Sequence, residues 1–342
     1  MKIIDIRSDT VTKPSKEMLS AMMNAPVGDD GYNEDPTVIK LEQMMAERAG
    51  MEAGLFTPSG TQSNLAAVMS HCQRGDEYIV GQTAHTYVWE GGGAAVLGSI
   101  QPQPLDLEED GTLPLEKVDM VIKPLYDHHV RTKLLCLENT TNGKVLPINY
   151  LKDAHNFCNE KGLSSHLDGA RVYNAAVHLG LELHDISKYF DSIAICLSKG
   201  LGAPVGSVLC GNSEFIKEAK RWRRVLGGSM RQSGIVAAAG IYALENNISR
   251  LSQDHENAQI LAKGISDIEE MVLEENSLHT NMFFIKAPIR YTELREHVKQ
   301  KGIILPNPFN KQGTIRFVTH MDVSRDDMNF VIDEIKSFYK KA

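Results

Sequence analysis

No apolar run in the 342-residue chain reaches membrane-spanning length, which excludes a helical membrane protein. The cysteines form no even, closely spaced set. Cys72, Cys136, Cys158, Cys196 and Cys210 are scattered and mostly inside apolar segments, and none pair at zinc-ligand spacing. Reduced thiols are therefore expected, with neither a disulfide scaffold nor a metal site. Basic excess is missing as well: Lys and Arg number 36 against 44 Asp and Glu, a formal charge of −8, which argues against a nucleic-acid surface. The opening MKIIDIRSDT puts Asp5, Arg7 and Asp9 where a signal peptide needs an apolar stretch, so a cytoplasmic protein is expected. No internal repeat or low-complexity tract is evident. No GxGxxG follows the first strand-like run, which argues against a nucleotide-binding dehydrogenase despite the GGGAAVLG stretch.

What is present is an ordinary globular composition, 42% apolar and 23% charged, at a length suited to one large and one smaller domain. GLFTP, EYIVG, KLLCLEN, SSHLDG, DSIAICLS and GSVLCG read as short buried strands. Between several of them lie windows with helical periodicity, such as INYLKDAHNFCNEKG. One helix start is explicit: Asp35 caps, Pro36 takes the first turn, Val38, Leu41 and Met45 form the apolar stripe, and Gly50 ends it. Strands alternating with helices predict an α/β fold with a mostly parallel sheet covered on both faces. After about residue 245 the rhythm changes to a polar helix over about 249–270, TNMFFIKA, another helix, TIRFVTH and a final amphipathic helix. The expected division is a large domain over 1–245, including the N-terminal segment, and a small α+β domain over 246–342. The basic run KRWRRVLGG, with Arg221, Arg223 and Arg224, reads as a solvated helix face, a subunit contact or an anionic-ligand site.

Three signals lie at predicted strand ends, where open parallel sheets bind ligands. SGTQSN opens a helix with Gly60 and Thr61, whose amides would face outward at the positive end of the helix dipole, a site suited to phosphate. It lacks the lysine and hydroxyl of a P-loop. HLDGAR ends a strand with Asp168 and Arg171, either a helix cap with a surface ion pair or a carboxylate and guanidinium facing a charged ring. Lys199, in CLSKGLGAP, either snorkels to water or is kept neutral and nucleophilic to form an imine with a carbonyl compound. A phosphate turn, an aspartate and a lysine are together what pyridoxal phosphate needs: an anchor, a partner for the ring nitrogen and an imine-forming amine.

The stretches DIRSDTVTKP, APVGDDGYNEDPT, PSGTQSN, LENTTNGKVLP, HLDGARVYNA, CLSKGLGAPVGS and GGSMRQSG resemble the low-specificity threonine aldolases across nearly the whole chain. The resemblance implies the fold-type I pyridoxal phosphate-dependent transferase fold, with a seven-stranded sheet and a smaller C-terminal domain. It implies reversible cleavage of threonine, allo-threonine and other β-hydroxy-α-amino acids to glycine and an aldehyde. By the same resemblance Lys199 is the imine lysine, Asp168 the partner of the ring nitrogen, and Arg171 the neighbour of the ring oxygen. Gly60 and Thr61 bind phosphate, helped by Arg231 from a neighbouring subunit, and His85 stacks on the ring. Ser8 and Arg316 hold the substrate carboxylate, and His128 lies near its hydroxyl, although adjacent His129 makes that register ambiguous. His85, or a water held by His85 and His128, is then the base. A homotetramer built as a dimer of dimers, with sites at the dimer interface, is expected. One departure stands out: ENTTN puts Thr141 where the family usually has histidine, and a hydroxyl neither titrates near neutral pH nor stacks like imidazole. A β-eliminating lyase and a serine hydroxymethyltransferase-like enzyme remain alternatives in the same cofactor class.

Overall fold

The computed structural model describes residues 2–311 and 313–340. Among the described residues eleven strands are formed: β1 Ile4–Asp5, β2 Ala53–Thr57, β3 Asp76–Gly81, β4 Gln101–Leu105, β5 Arg131–Glu138, β6 Ser164–Asp168, β7 Ser192–Cys196, β8 Ser207–Gly211, β9 Met282–Lys286, β10 Ile303–Ile304 and β11 Thr314–Val318. Seven of them make the central sheet in the order β2-β8-β7-β6-β5-β3-β4. Neighbours from β7 to β4 run parallel, and only β8 opposes the strands on either side of it. The expected α/β class with a mostly parallel sheet is what the chain forms.

Alternating residues send apolar side chains to both faces of this sheet. Phe56, Ile79, Leu135, Leu137, Ile193, Ile195 and Val208 join the core beneath the helix Pro36–Ala49 and the helix Gly234–Asn246. Leu55, Val80, Leu134, Cys136, Ala194 and Leu209 point the other way, under the helix Gly60–His71 and the helix Ser213–Val225. The six strand-like runs read from sequence are all strands. The edge strand β4 is an addition: it carries Pro102 and Pro104, which are tolerated there because a proline nitrogen can face the unpaired side.

The helix Pro36–Ala49 begins as expected. Asp35 accepts hydrogen bonds from the Thr37 and Val38 amides, and Gly50 ends the helix at φ +63. A Cβ on Gly50 would also lie 2.2 Å from His184 Nδ1, so two separate constraints demand glycine there. The polar C-terminal helix is shorter than expected, Leu251–Ile265. It packs with β9, the helix Tyr291–Lys299, β11 and the helix Arg325–Lys340 around a second core that includes Phe283, Phe317, Val331 and Ile335. Ile4 and Ile6 belong to that core, and β1 pairs in parallel with β10. We therefore propose keeping the division near residue 245 but assigning residues 4–6 to the smaller unit.

The basic run is not a solvated face at its centre. Arg223 is 1% exposed and donates to the Phe56 carbonyl at 2.6 Å and to Asp30 at 2.8 Å. Glu42 lies beside it, accepting the Phe56 amide at 2.8 Å, and burial raises its pKa from 4.5 to about 7 against the pull of that amide and of Arg223. A carboxyl raised on folding stabilises the fold fully below its unfolded pKa and loses that contribution as pH climbs through the folded value. Melting temperature is thus expected to fall as pH rises from about 4.5 through about 7, by up to about 3 kcal/mol of stability from this group. Glu42→Gln keeps an acceptor for Phe56 and should flatten the fall; an unchanged pH profile would remove Glu42 as its cause.

Candidate active site

The carboxyl ends of β3, β5, β6 and β7 open onto a cleft of about 600 Å³ that includes Ser8, Thr83, His85, Trp89, Glu138, Arg171, Lys199 and Arg316 in its wall. Lys199 stands just beyond β7, where the backbone turns through Gly200 to Gly202. Its carbonyl accepts from Thr12 Oγ1 at 3.0 Å and from the Gly202 amide at 2.9 Å. Among the described residues its ammonium has no hydrogen-bond or ion-pair partner. Arg316 lies on β11 between Ile315 and Phe317, both buried in the second core, and alternation turns its side chain into the cleft. There its guanidinium carbon sits 5.0 Å over the Phe309 ring. Burial, and then Arg171, push its pKa down to about 10, while Asp9 opposes them.

Arg171 is in the cleft wall but is already engaged. Its Nε and Nη2 donate to the two Asp9 oxygens at 2.7 and 2.6 Å. Burial works to raise the Asp9 pKa, yet Arg171, with Lys199 and Arg316 behind it, holds that carboxyl well below the usual range. Arg171 thus stands in the cleft wall, where it was expected beside a ring oxygen, and it also makes a bidentate ion pair that ties the N-terminal segment to the cleft. Ser8 precedes Asp9, capping a short turn through the Thr10 amide at 3.2 Å, and reaches the cleft.

Asp168 ends β6 and is 2% exposed. Its Oδ1 accepts the Ala170 amide at 3.0 Å and its Oδ2 accepts Asn64 Nδ2 at 2.9 Å. His85 begins a short helix after β3. Its Nδ1 meets Glu90 Oε1 at 2.9 Å, and that hydrogen bond, against burial, raises its pKa. Glu138, at the end of β5, accepts the His85 amide at 2.8 Å; burial and then Asp168 hold its carboxyl well above the usual range. The sequence marks Asp9 only as a charge in the opening segment, and it assigns no site role to Asp9, Glu90 or Glu138. IRSDT and LENTTNG lay inside the resembling stretches, but no local spacing announces the Asp9–Arg171 pair.

Gly60 and Thr61 occupy the first turn of the helix Gly60–His71, behind the Ser59 cap, and lie outside the cleft lining. Their helix nevertheless reaches the site through Asn64. A Cβ on Gly60 would meet nothing within 4 Å, so the turn opens onto free space. Arg231 is elsewhere, on an exposed turn with its guanidinium 3.2 Å from Asp29, and His128 is elsewhere too. His128 lies on the exposed segment 124–128, paired with Asp127 at 3.2 Å and stacked on Tyr126, because that stretch connects a helix to β5 without joining any core. Within one chain, then, neither residue joins the cleft. Thr141 is buried, and its hydroxyl donates to the Glu138 carbonyl at 2.7 Å, closing the turn that brings Asn142 to the cleft.

The donor set suits pyridoxal phosphate: an unpaired lysine amine in the cleft wall, a buried carboxylate with an imidazole within 4.8 Å of it, and a helix N-terminus with no obstruction to a Cβ at Gly60. The family model described as beta-eliminating lyase matches residues 5–288. The low specificity L-threonine aldolase of Escherichia coli (strain K12) is 55% identical over 337 residues, covering 98% of this chain and 99% of that protein. The low specificity L-threonine aldolase of Saccharomyces cerevisiae is 38% identical over 331 residues, covering 96% of this chain and 84% of its own length. The solved threonine aldolase of Leishmania major has the same fold, with a TM-score of 0.84 at 22% identity, covering 98% of this chain and 99% of the other.

Proposed function

From the premise that the chain belongs to the beta-eliminating lyase family, and within it to the low-specificity L-threonine aldolases, we propose that it cleaves threonine, allo-threonine and related β-hydroxy-α-amino acids reversibly to glycine and an aldehyde. The observation that carries this reading is the convergence of Lys199, Arg316, His85 and Asp168 on one end of the sheet. Lys199 would hold pyridoxal phosphate covalently, with Asp168 at the ring nitrogen, Gly60 and Thr61 at the phosphate and His85 against the ring. Bound there, the cofactor supplies an electron sink for the bond that breaks.

The chain's own residues do the rest. Arg316 and Ser8 bind the substrate carboxylate, and fixing that group fixes which bond at Cα stands in the reactive orientation. The aromatic face of Phe309 beneath Arg316 holds the guanidinium in place. Glu90 occupies His85 Nδ1, so in the neutral ring Nε2 is the atom left to take the β-hydroxyl proton. The exposed position of His128 removes support, within a single chain, for a base built from two histidines. Trp89, Pro308 and Phe309 supply the apolar part of the cleft wall.

A soluble cytoplasmic homotetramer, a dimer of dimers, completes the proposal. Among the described residues no helix is long and apolar enough to cross a membrane. Arg231 is 63% exposed, and Leu19, Met23, Val27 and Ile235 present exposed apolar surface, which supports a subunit contact. The test uses the purified protein with pyridoxal phosphate and each of the four threonine stereoisomers. Glycine and acetaldehyde in equal amounts are expected from an L isomer; ammonia and a keto acid instead would overturn the aldol reading in favour of β-elimination. Sedimentation of the same active preparation as a monomer would overturn the assembly.

A further inference from the structure

Asn64 is 2% exposed and spends both amide hydrogens on carboxylates, donating to Asp168 Oδ2 and to Glu90 Oε1, each at 2.9 Å. Polar atoms of His85, Glu90 and Asp168 all lie within 4.8 Å of one another, so one amide group bridges two neighbouring carboxyl groups. With its hydrogens committed, its Oδ1 can only accept. The partner there is His166 Nε2, at 3.1 Å, on a ring that is fully buried inside β6. His166 Nδ1 is 2.8 Å from Ser192 Oγ on β7, and Ser192 Oγ is 2.7 Å from His71 Nε2, near the far end of the helix that carries Asn64.

The chain has a single consistent direction. His166 Nε2 must donate to Asn64. Burial, and then His71, lower the His166 pKa to about 3, so the ring is neutral and its Nδ1 carries no proton. Ser192 must then donate to that Nδ1 and accept from His71 Nε2. Burial lowers the His71 pKa as well, to about 4, and that ring is neutral too. Every hydrogen in the series His71, Ser192, His166, Asn64 points toward Asp168 and Glu90. Bonds aligned head to tail polarise one another, which strengthens the last donor in the row.

We propose that Asn64 and His166 are positioning residues that fix Asp168 and, through Glu90, His85 in the geometry the reaction uses. Neither touches the cleft. Asp168 lies two residues from His166 on the same face of β6, so the strand alternation that buries the imidazole also aims the carboxylate at the ring site. Removing the bridge would leave two close carboxylates without a shared donor, and Glu90 would be free to release His85. The consequence for catalysis rests on the proposed cofactor reading; the direction of the hydrogen-bond chain does not.

Nitrogen-resolved NMR of the histidines in the purified protein, with and without pyridoxal phosphate, tests the chain directly. At neutral pH His166 is expected to be neutral with its proton on Nε2; a proton on Nδ1, or a charged ring, overturns the inference. Asn64→Leu is expected to lower kcat about tenfold to hundredfold, with KM changed far less and with weaker affinity for pyridoxal phosphate in an absorbance titration. His166→Leu should behave alike, whereas His166→Gln, which offers a donor and an acceptor in similar places, should restore most of kcat. If Asn64→Leu folds and matches the wild type, or if His166→Gln is as impaired as His166→Leu, the positioning role is overturned. A wild-type protein that fails to bind pyridoxal phosphate would instead overturn the functional reading, and the tautomer of His166 would still decide the chain.

Discussion

Replacing Lys199 with alanine is expected to lower multiple turnover by at least about a thousandfold, ~4 kcal/mol of barrier, in a protein that still folds. The fold should survive because the contacts that hold this turn are made by the backbone: Thr12 and Gly202 both donate to the residue 199 carbonyl, which alanine retains. What alanine removes is the one cleft amine that is unpaired among the described residues. Loss of activity alone would not separate a nucleophile from a charge, since Lys199 also acts on Asp9, His85 and Glu138. Two measurements make the separation. Lys199→Arg keeps the charge and should be as inactive as the alanine variant. Borohydride reduction of the cofactor-loaded wild type, followed by peptide mapping, should leave the label on residue 199. A label on another lysine would remove Lys199 from the role.

Local signals carried most of the fold. An Asp-Pro pair before an apolar stripe and a glycine after it mark the helix Pro36–Ala49 because caps act over a few residues. The buried strands β3 and β5 to β8 were legible as short apolar runs between turn residues. Strand β4 was not, since QPQPL has little β-propensity and is held by β3 alone, at an edge where proline is harmless. The pairing of β1 with β10 joins Ile4 to Ile303 across almost the whole chain, and no window of sequence contains it. The same limit explains Arg223: its run of basic neighbours reads as a wet surface, while its partners Asp30 and Phe56 are supplied by distant segments.

The site divides along the same line. Lys199, Asp168, His85, Ser8 and Arg316 follow from strand ends, alternation and resembling motifs, and all five stand in or against the cleft. Arg171 was legible as a residue but not as an ion pair, because Asp9 reaches it from 162 residues away. Asn64 and His166 lie inside the resembling stretches PSGTQSN and HLDGARVYNA, but nothing local gives them, or Glu90, a role: a histidine in a strand and an asparagine in a helix are ordinary until their partners are known. Arg231 and His128 sit on exposed segments, paired with Asp29 and Asp127, so within one chain neither reaches the cleft.

Asp168→Asn is the substitution with the next largest expected effect, and it isolates charge from shape. Asparagine fits the same space, and its carbonyl can still accept from the Ala170 amide or from Asn64, so the end of β6 should hold. The negative charge is lost. In the proposed complex that charge faces the ring nitrogen of the cofactor, where it favours the form able to withdraw electrons from the bond that breaks. A fall in kcat of at least about a hundredfold is expected, ~2.7 kcal/mol or more. Cofactor occupancy, read from absorbance, should stay near that of the wild type, because Lys199 and the helix N-terminus are untouched. The other carboxyls near this end of the sheet are poor substitutes: Asp9 is spent on Arg171. Burial raises the pKa of Glu90, which is held by His85 and Asn64, and burial likewise raises that of Glu138, which is spent on the His85 amide. Near wild-type kcat at full occupancy would reduce Asp168 to a turn residue that caps the Ala170 amide, and the functional proposal would then lack a carboxylate for the ring.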